Sequence, residues 1–502
     1  MRTFIIVIFS TFTISGIAQK PVIDFSEKYA NVITPKGLTE KLTILAGADM
    51  QGRETTTPGQ KKAAGYIESF YQKLELIPGT TGGFQMQFPI YQDTLIDASF
   101  TIRNMPFIFN QDWSVNISSS ANGNYDVKEI VFVSYGQVDS TRNDYKDLNV
   151  KDKWVLVIEG SPGVISSERK NAFITKSKLQ TALDLGVKGI VVMSTDFPRK
   201  DYSETKGKMS LKKPNLNIGI PVIYVTSDLA HSILGMNPKQ LLQSIKNIPT
   251  GSYDTKFTHA VSKKTLMLQS SNVIAVIPGT DKKDEYVIIS SHYDHLGIRG
   301  KEIYYGADDD GSGTCGVMQL AEAFIKAKDD GHGPRRTMVF INFSGEEKGL
   351  LGSEFFTDHP SQNLTNVTAD LNIDMIGRID PKIKTDSTNY LYIIGDDKLS
   401  SDLKKVTDSL NTKFTKLTLD RRYNNLTDPN RYYYRSDHYN FAKKGVPVIF
   451  YFNGTHADYH KPTDTVDKIN FELMAKRLKL IYYTAWDLAN RNEMLKRDIP
   501  LK

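Results

Sequence analysis

Five short segments carry acids and histidines of the kinds that do chemistry. SSHYDHLG holds His292 and Asp294, GADDDGSG runs from Gly306 to Gly313, and FSGEEKGLLGS holds Glu346 and Glu347. NIDMIG holds Asp374, and THADYHKPTDT holds His456, His460 and Asp464. Singly, each has an ordinary account. Asp and Gly are turn residues, and lone His or paired Glu residues are mostly surface groups. Together they suggest more, because neighbouring carboxylates repel unless a cation or proton neutralises them. Carboxylates and imidazoles gathered in one place form the N/O donor set of a metal site. A calcium loop of the EF-hand type can be tested directly, since it needs Gly at position 6 and a bidentate Glu at position 12. With Gly311 at the glycine position the twelfth residue is Val317, and with Gly313 it is Gln319. Neither supplies a carboxylate, so the EF-hand is excluded.

The elements that must bring these segments together alternate along the chain. Tyr286–Ser290, Thr337–Phe343, Leu371–Asp374, Tyr390–Gly395 and Val446–Phe452 read as buried strands. Between and after them, Val317–Ala327 and Phe471–Arg491 carry the 3.6-residue apolar spacing of helices. Strands separated by helices imply a largely parallel sheet covered on both faces, with function at the strand C-termini. The acids and histidines stand just past those ends. An earlier amphipathic helix, Lys61–Leu76, follows a Thr/Pro/Gly turn. Residues 96–262 have strands of their own (Trp154–Gly160, Gly189–Ser194, Ile220–Thr226), one helix (Lys178–Gly186) and Lys-rich connections. They read as a domain inserted into a loop of the larger α/β domain.

Composition narrows the classes further. The 502 residues are 40% hydrophobic and 24% charged, ordinary for a globular protein with a large core. A net charge of +6 without a basic block gives no argument for nucleic acid or for a polybasic membrane contact. MRTFIIVIFSTFTISGIAQK has the basic start, apolar run and small residues of a secretory signal peptide cut after Ala18. The expected mature protein is exported, periplasmic or extracellular, without stable membrane insertion, the run being shorter than the ~20 residues of a span. Cys315 is the only cysteine, so no internal disulfide forms, and a small buried role is expected for it.

Six of the motifs, in order, resemble the co-catalytic two-zinc aminopeptidases and their glutamate carboxypeptidase relatives: SSHYDHLG, GADDDGSG, FSGEEKGLLGSE, NIDMIG, RSDHYNFAKKGVPVIFY and YHKPTDT. MQGRETTTPGQKKAAGYIESFYQKLEL resembles that family's N-terminal helix and the turn before it. DLNVKDKWVLVIEG, KLQTALDLGVKGIVVMS and IGIPVIYVTSDLA are similar to a protease-associated (PA) domain. The resemblance implies a phosphorylase/hydrolase-like three-layer αβα zinc-exopeptidase domain with a mixed, mainly parallel sheet. It would be formed by residues 19–95 and 263–502, with a β-rich protease-associated domain at 96–262.

The resemblance further implies two Zn²⁺ ions acting on a peptide substrate. His292 and Asp374 would bind one, Glu347 and His460 the other, and Asp309 would bridge them. Glu346 would be the general base, Asp294 would orient His292, and Asp464 would support the site near His460. Tyr459 matches a transition-state hydrogen-bond donor, and Arg435, Ser436, Asp437 and His438 lie in a motif beside the pocket. One of two adjacent glutamates bound and the other free suits a base that must reach the attacking water. His295 and His456 are expected near the site without a ligand role, and His231, His259, His332 and His359 at the surface. The leading activity is removal of N-terminal residues from peptides. A carboxypeptidase or dipeptidase on the same scaffold is the alternative, since Arg pairs with carboxylates and Arg435 could serve. One-zinc glutaminyl cyclases and non-catalytic receptor domains of this superfamily fit less well, because the chain retains all five ligands and Glu346.

Overall fold

Strands that are apolar along their length can be buried only inside a sheet covered on both sides. Arg336–Phe343, Val367–Ile373, Tyr390–Ile394 and Val448–Phe452 have every residue buried, as does the C-terminal half of Lys282–His292. In the computed structural model, which describes residues 24–118, 120–162, 177–195, 197, 205–214, 219–236 and 248–501, these strands form one sheet. The expected leader at 1–18 lies outside the described residues. Lys282–His292 pairs in parallel with Arg336–Phe343 on one side and Val367–Ile373 on the other, and Val448–Phe452 continues in parallel. Tyr390–Ile394 and the end of Gly251–Ile277 join antiparallel. The sheet is mixed and mainly parallel, as expected.

Side chains alternate across the sheet with the two-residue period of a strand. Val287, Ile289, Met338 and Phe340 point to a core shared with the helices Pro35–Leu45, Pro58–Lys73, Gly313–Asp329 and Phe471–Asn490. Ile288, Val339 and Ile341 point to the other core, closed by Leu351–Asp358 and His438–Lys443. Cys315 is fully buried near the start of Gly313–Asp329. Among the described residues no helix is long and apolar enough to cross a membrane. Because four central strands run parallel, His292, Phe343, Ile373 and Phe452 all end at one edge.

Two long strands that the sequence reading did not anticipate extend this sheet. Gln85–Ile102 and Gly251–Ile277 pair as an antiparallel ribbon with a register shift at Ser262/Lys263. Near that shift the buried Lys263 ammonium meets Asp93 at 2.8 Å and the Ile117 carbonyl at 2.6 Å. The outer half of Gly251–Ile277 then pairs with Gly123–Phe132, followed by Trp154–Ile158, Gly189–Met193, Val222–Val225 and Trp113–Val115. Gly251–Lys264 alternates more and less exposed residues and the apolar run of this strand is confined to Val273–Ile277, so the sequence does not mark the ribbon as one long strand.

Two histidines expected at the surface are buried instead. His231 donates its Nδ1–H to the Ser227 carbonyl at 2.8 Å, one turn back on Ser227–Ile233. His259 packs edge-on against Trp113 and stacked on Tyr125, with Nδ1 3.1 Å from the Ser99 carbonyl. Spacing along a ribbon strand does not reveal that its partner strands carry aromatic rings. Burial pushes the His259 imidazole down to about 4 from 6.5. Between those values the unfolded chain binds a proton that the folded chain does not, so stability falls as pH drops through the window, by about 3 kcal/mol in all. His259→Gln should flatten this part of the pH dependence in urea unfolding; an unchanged slope between pH 6.5 and 4 would count against a buried neutral imidazole.

Candidate metal centre

The shared sheet edge collects the acids and histidines. His292 ends its strand, Asp374 follows Ile373, Glu346 and Glu347 follow Phe343, and Asp309 lies in the irregular turn Ala307–Ser312. His292 Nε2 is 3.4 Å from Asp309 Oδ1, 3.7 Å from Asp374 Oδ1 and 3.9 Å from Glu346 Oε2. His460 Nε2 is 3.1 Å from Asp309 Oδ2 and 3.3 Å from Glu347 Oε2. Each oxygen of Asp309 thus faces a different group. N and O ligands held tetrahedrally at about 2.0–2.1 Å from one cation lie about 3.3 Å from each other, and the contacts here, at 3.1–3.9 Å, fall at or somewhat beyond that spacing. His292, Glu346 and Asp374 form one cluster able to hold a cation; His295, Asp309 and Glu347 form the other.

The donor chemistry fits two divalent cations. Asp309 Oδ2, Glu347 Oε1 and both ring nitrogens of His295 are buried, and apart from the close imidazole–carboxylate approaches of His460 to Asp309 and His295 to Glu347 they meet no hydrogen-bond partner among the described residues. Buried anionic oxygens in that state are costly unless a cation meets them. Burial opposes charging of His292, yet Glu346 and the carboxylates of Asp294, Asp309 and Asp374 raise it well above its ordinary value. His460, against the same opposition, is pushed up to about 10 by Asp309 and Glu347. The adjacent glutamates diverge. Burial, with Glu347 and Asp374, raises Glu346 well above the carboxylate range, whereas His295 and His460 overcome burial and draw Glu347 down to about 2. Divergent neighbours of this kind take different roles.

Backbone amides hold the turn in place. Asp310 Oδ1 accepts N–H groups from Gly313 at 2.8 Å and Met375 at 3.0 Å, and Oδ2 accepts that of His292 at 3.2 Å. Asp308 accepts from Gly377 N–H, Ser312 Oγ and Asn453 Nδ2 at 2.7–3.0 Å, and His456 Nε2 lies 3.2 Å from it. The fully buried Arg53 guanidinium donates to the carbonyls of Leu45, Tyr293, Tyr305 and Gly306. Asp294 accepts from Thr55 Oγ1 at 2.6 Å and Glu346 N–H at 3.2 Å. His292 Nδ1 sits 3.1 Å from the Asp294 carbonyl and 3.6 Å from its carboxylate.

Some placements differ from expectation. Asp464 accepts the N–H groups of Asp308 and Asp309 at 3.0 and 3.2 Å, so its support falls on the turn and not on His460. His295 stands 2.9 Å from Glu347, closer to the cluster than a mere neighbour. The only hint in the sequence was its position three residues after His292. Gly313 has helical φ of −66°; it is needed because a Cβ there would lie 2.2 Å from the Ile373 carbonyl oxygen. The left-handed residue of the turn is Gly306, at φ +58°.

A cavity of about 320 Å³ opens onto His292, Asp309, Glu346, Glu347, Asp374 and His460. Leu350, Met375, Tyr432, Tyr434, Phe450 and Phe452 give its other wall a mainly apolar character. Leu350, Met375 and His460 hold left-handed φ of 63°, 66° and 57°, a cost that non-glycine residues bear mostly at functional sites. The Tyr459 ring stacks on His460 at 3.9 Å, and Arg435 Nη2 donates to Tyr459 Oη at 3.1 Å. Of the Arg435–His438 motif only Arg435 lines the cavity. Ser436 accepts from Asn372, the buried Asp437 is pushed up to about 7 by burial, and His438 Nε2 meets the Tyr433 carbonyl.

Residues 272–485 match peptidase family M28. A probable leucine aminopeptidase of Arthroderma otae is 31% identical over 228 residues, 44% of this chain and 58% of that protein. Leucine aminopeptidase 1 of Penicillium rubens is 29% identical over 228 residues, 43% of this chain and 56% of that protein. The chain thus spans somewhat over half the length of these curated relatives. Among solved structures, the aminopeptidase from Aneurinibacillus sp. strain AM-1 is similar at a TM-score of 0.59 and 18% identity, covering 95% of this chain and 99% of that one. A zinc aminopeptidase from Bacillus subtilis is similar at 0.55 and 18%, covering 93% and 99%. The shared fold therefore extends over most of residues 96–262 as well.

Asp310→Asn tests the amide scaffold, since one of its oxygens would become an NH₂ group facing N–H donors. Urea unfolding should show a loss of about 1–3 kcal/mol, the cost of orphaning buried donors, with weakened metal binding although Asp310 faces neither cluster. Unchanged stability and metal binding would remove Asp310 from this role.

Proposed function

Because residues 272–485 match peptidase family M28, we propose that the chain is a two-zinc exopeptidase that removes N-terminal residues from peptides. The observation that carries this reading is Asp309, whose two oxygens face His292 with Asp374 and His460 with Glu347 respectively. In the proposal His292 and Asp374 hold one ion, Glu347 and His460 the other, and Asp309 both. His295, against the second oxygen of Glu347, orients that ligand. Relatives named as leucine aminopeptidases support the activity. The peptidase domain is assigned to 19–95 and 263–502, with 96–262 as an inserted protease-associated domain. Residues 1–18 are assigned as an export signal, which makes the mature enzyme a secreted one.

Two zinc ions in such a site supply Lewis acidity that polarises a carbonyl and makes water easier to deprotonate. The residues of the chain do the rest. Glu346 takes the proton of the attacking water and passes it to the departing amine, a task suited to a carboxyl whose proton affinity burial and acidic neighbours have raised. Asp294 keeps the His292 ring turned by holding Nδ1 between its carbonyl and carboxylate. The mainly apolar wall receives the terminal side chain and excludes water around it. Tyr459, which lines the cavity, offers its hydroxyl to the developing oxyanion.

A carboxypeptidase or dipeptidase reading would rest on Arg435, the cation lining the cavity. Its guanidinium is already engaged by Tyr459 and packed over the Tyr432 ring, which favours the aminopeptidase reading. Digestion of a peptide library, read by mass spectrometry, should show stepwise loss of N-terminal residues; loss from the C-terminus would overturn it. Chelators should abolish turnover and zinc should restore it. Glu346→Gln should retain both metals while kcat falls by about 10²–10⁴-fold, and an active variant would remove Glu346 from the role of base.

A further inference from the structure

The contact between Arg435 and Tyr459 fixes the direction of a hydrogen bond. A guanidinium can only donate, whereas a phenol both donates and accepts. Tyr459 Oη, 3.1 Å from Arg435 Nη2, must therefore be the acceptor, and its own hydrogen is left for another partner. Among the described residues no protein group takes that hydrogen, and Tyr459 lines the cavity together with His292, Asp374 and His460. Both members of the pair are braced. The Tyr459 ring lies on His460 with 19° between the planes, and Arg435 packs over the Tyr432 ring at 5.1 Å.

The cavity also holds acceptors that could divert the phenol, since Asp309, Glu346 and Glu347 all act on it electrostatically. A donor that helps the reaction must be aimed beforehand at the place where charge will develop. We propose that Arg435 is a positioning residue: by donating to Tyr459 Oη it directs the phenol hydrogen into the cavity, toward the carbonyl oxygen of the scissile peptide. Arg435 then acts through Tyr459 and not by holding a substrate carboxylate. This rests on the aminopeptidase reading, in which Tyr459 serves the oxyanion.

The test is a double-mutant cycle on the full chain purified with zinc, assayed with an aminoacyl-p-nitroanilide and with the matching dipeptide. Tyr459→Phe should lower kcat on the order of 100-fold, the loss of one oxyanion donor, with KM little changed. Arg435→Met should reproduce most of that loss in kcat on both substrates, at unchanged zinc content. The variant carrying both substitutions should be no slower than Tyr459→Phe alone, because the two residues act as one unit. Arg435→Lys, which also can only donate, should recover part of the activity. Losses that multiply in the double variant would overturn the inference. So would an Arg435→Met effect confined to KM for the dipeptide, which would make the guanidinium a carboxylate clamp. If the unmodified chain with zinc fails to cleave the anilide, the aminopeptidase reading itself falls and this inference falls with it.

Discussion

Asp309 turns one carboxylate oxygen toward His292 and the other toward His460, within a pocket already holding Glu346, Glu347 and Asp374. So many acids cannot share a buried space as free anions, because water no longer solvates them and each raises the proton affinity of the next. Three responses are visible in the side chains. Two imidazoles are driven toward the charged state, one glutamate is driven toward the neutral state, and several polar atoms lack a well-formed hydrogen bond among the described residues. All three disappear as problems if cations occupy the two clusters, since the ions' charge balances that of the carboxylates.

Holding these groups 3.1–3.9 Å from one another falls to the backbone. The outer aspartates of the triplet accept N–H groups from His292, which ends its strand, from Met375 and Gly377 just beyond Ile373, and from Gly313 at the start of the following helix. Asp464 holds the turn from the opposite side, and Arg53 gathers the carbonyls that precede it. Such contacts tie each ligand to its neighbours through short covalent paths, leaving little freedom for the site to spread under its own repulsion. The left-handed Leu350, Met375 and His460 fit the same account: local strain is tolerated where the surrounding contacts determine the backbone.

The strands between residues 113 and 225 are joined to the central sheet by more than the chain. The Gln85–Ile102 and Gly251–Ile277 ribbon carries the sheet outward, and the buried Lys263–Asp93 pair braces it beside the register shift. Met209 and Leu211 share a small apolar cluster with Phe88 and Ile90 of the ribbon and with Leu351 and Phe355. Leu351 and Phe355 lie on the helix that follows the Glu346–Leu350 loop.

Apolar runs and their spacing were enough, from the sequence alone, to place the central strands and major helices, because a strand buried on both faces must be apolar throughout. They also placed the five chemical segments past strand ends, and motif order implied the ligand set. The long ribbon was illegible, since its alternation is half polar and its partners are distant in sequence. The same blindness put His231 and His259 at the surface, where pairing and packing in fact bury them. Within the site, residue types implied that carboxylates and imidazoles would meet. Only the tertiary structure decided that Asp310 serves backbone amides, that Asp464 supports the turn, that His295 leans on Glu347 and that Arg435 faces Tyr459. Those outcomes depend on which groups are brought within about 3 Å, the range over which hydrogen bonds act, and such distances are set by the folding of remote segments against one another.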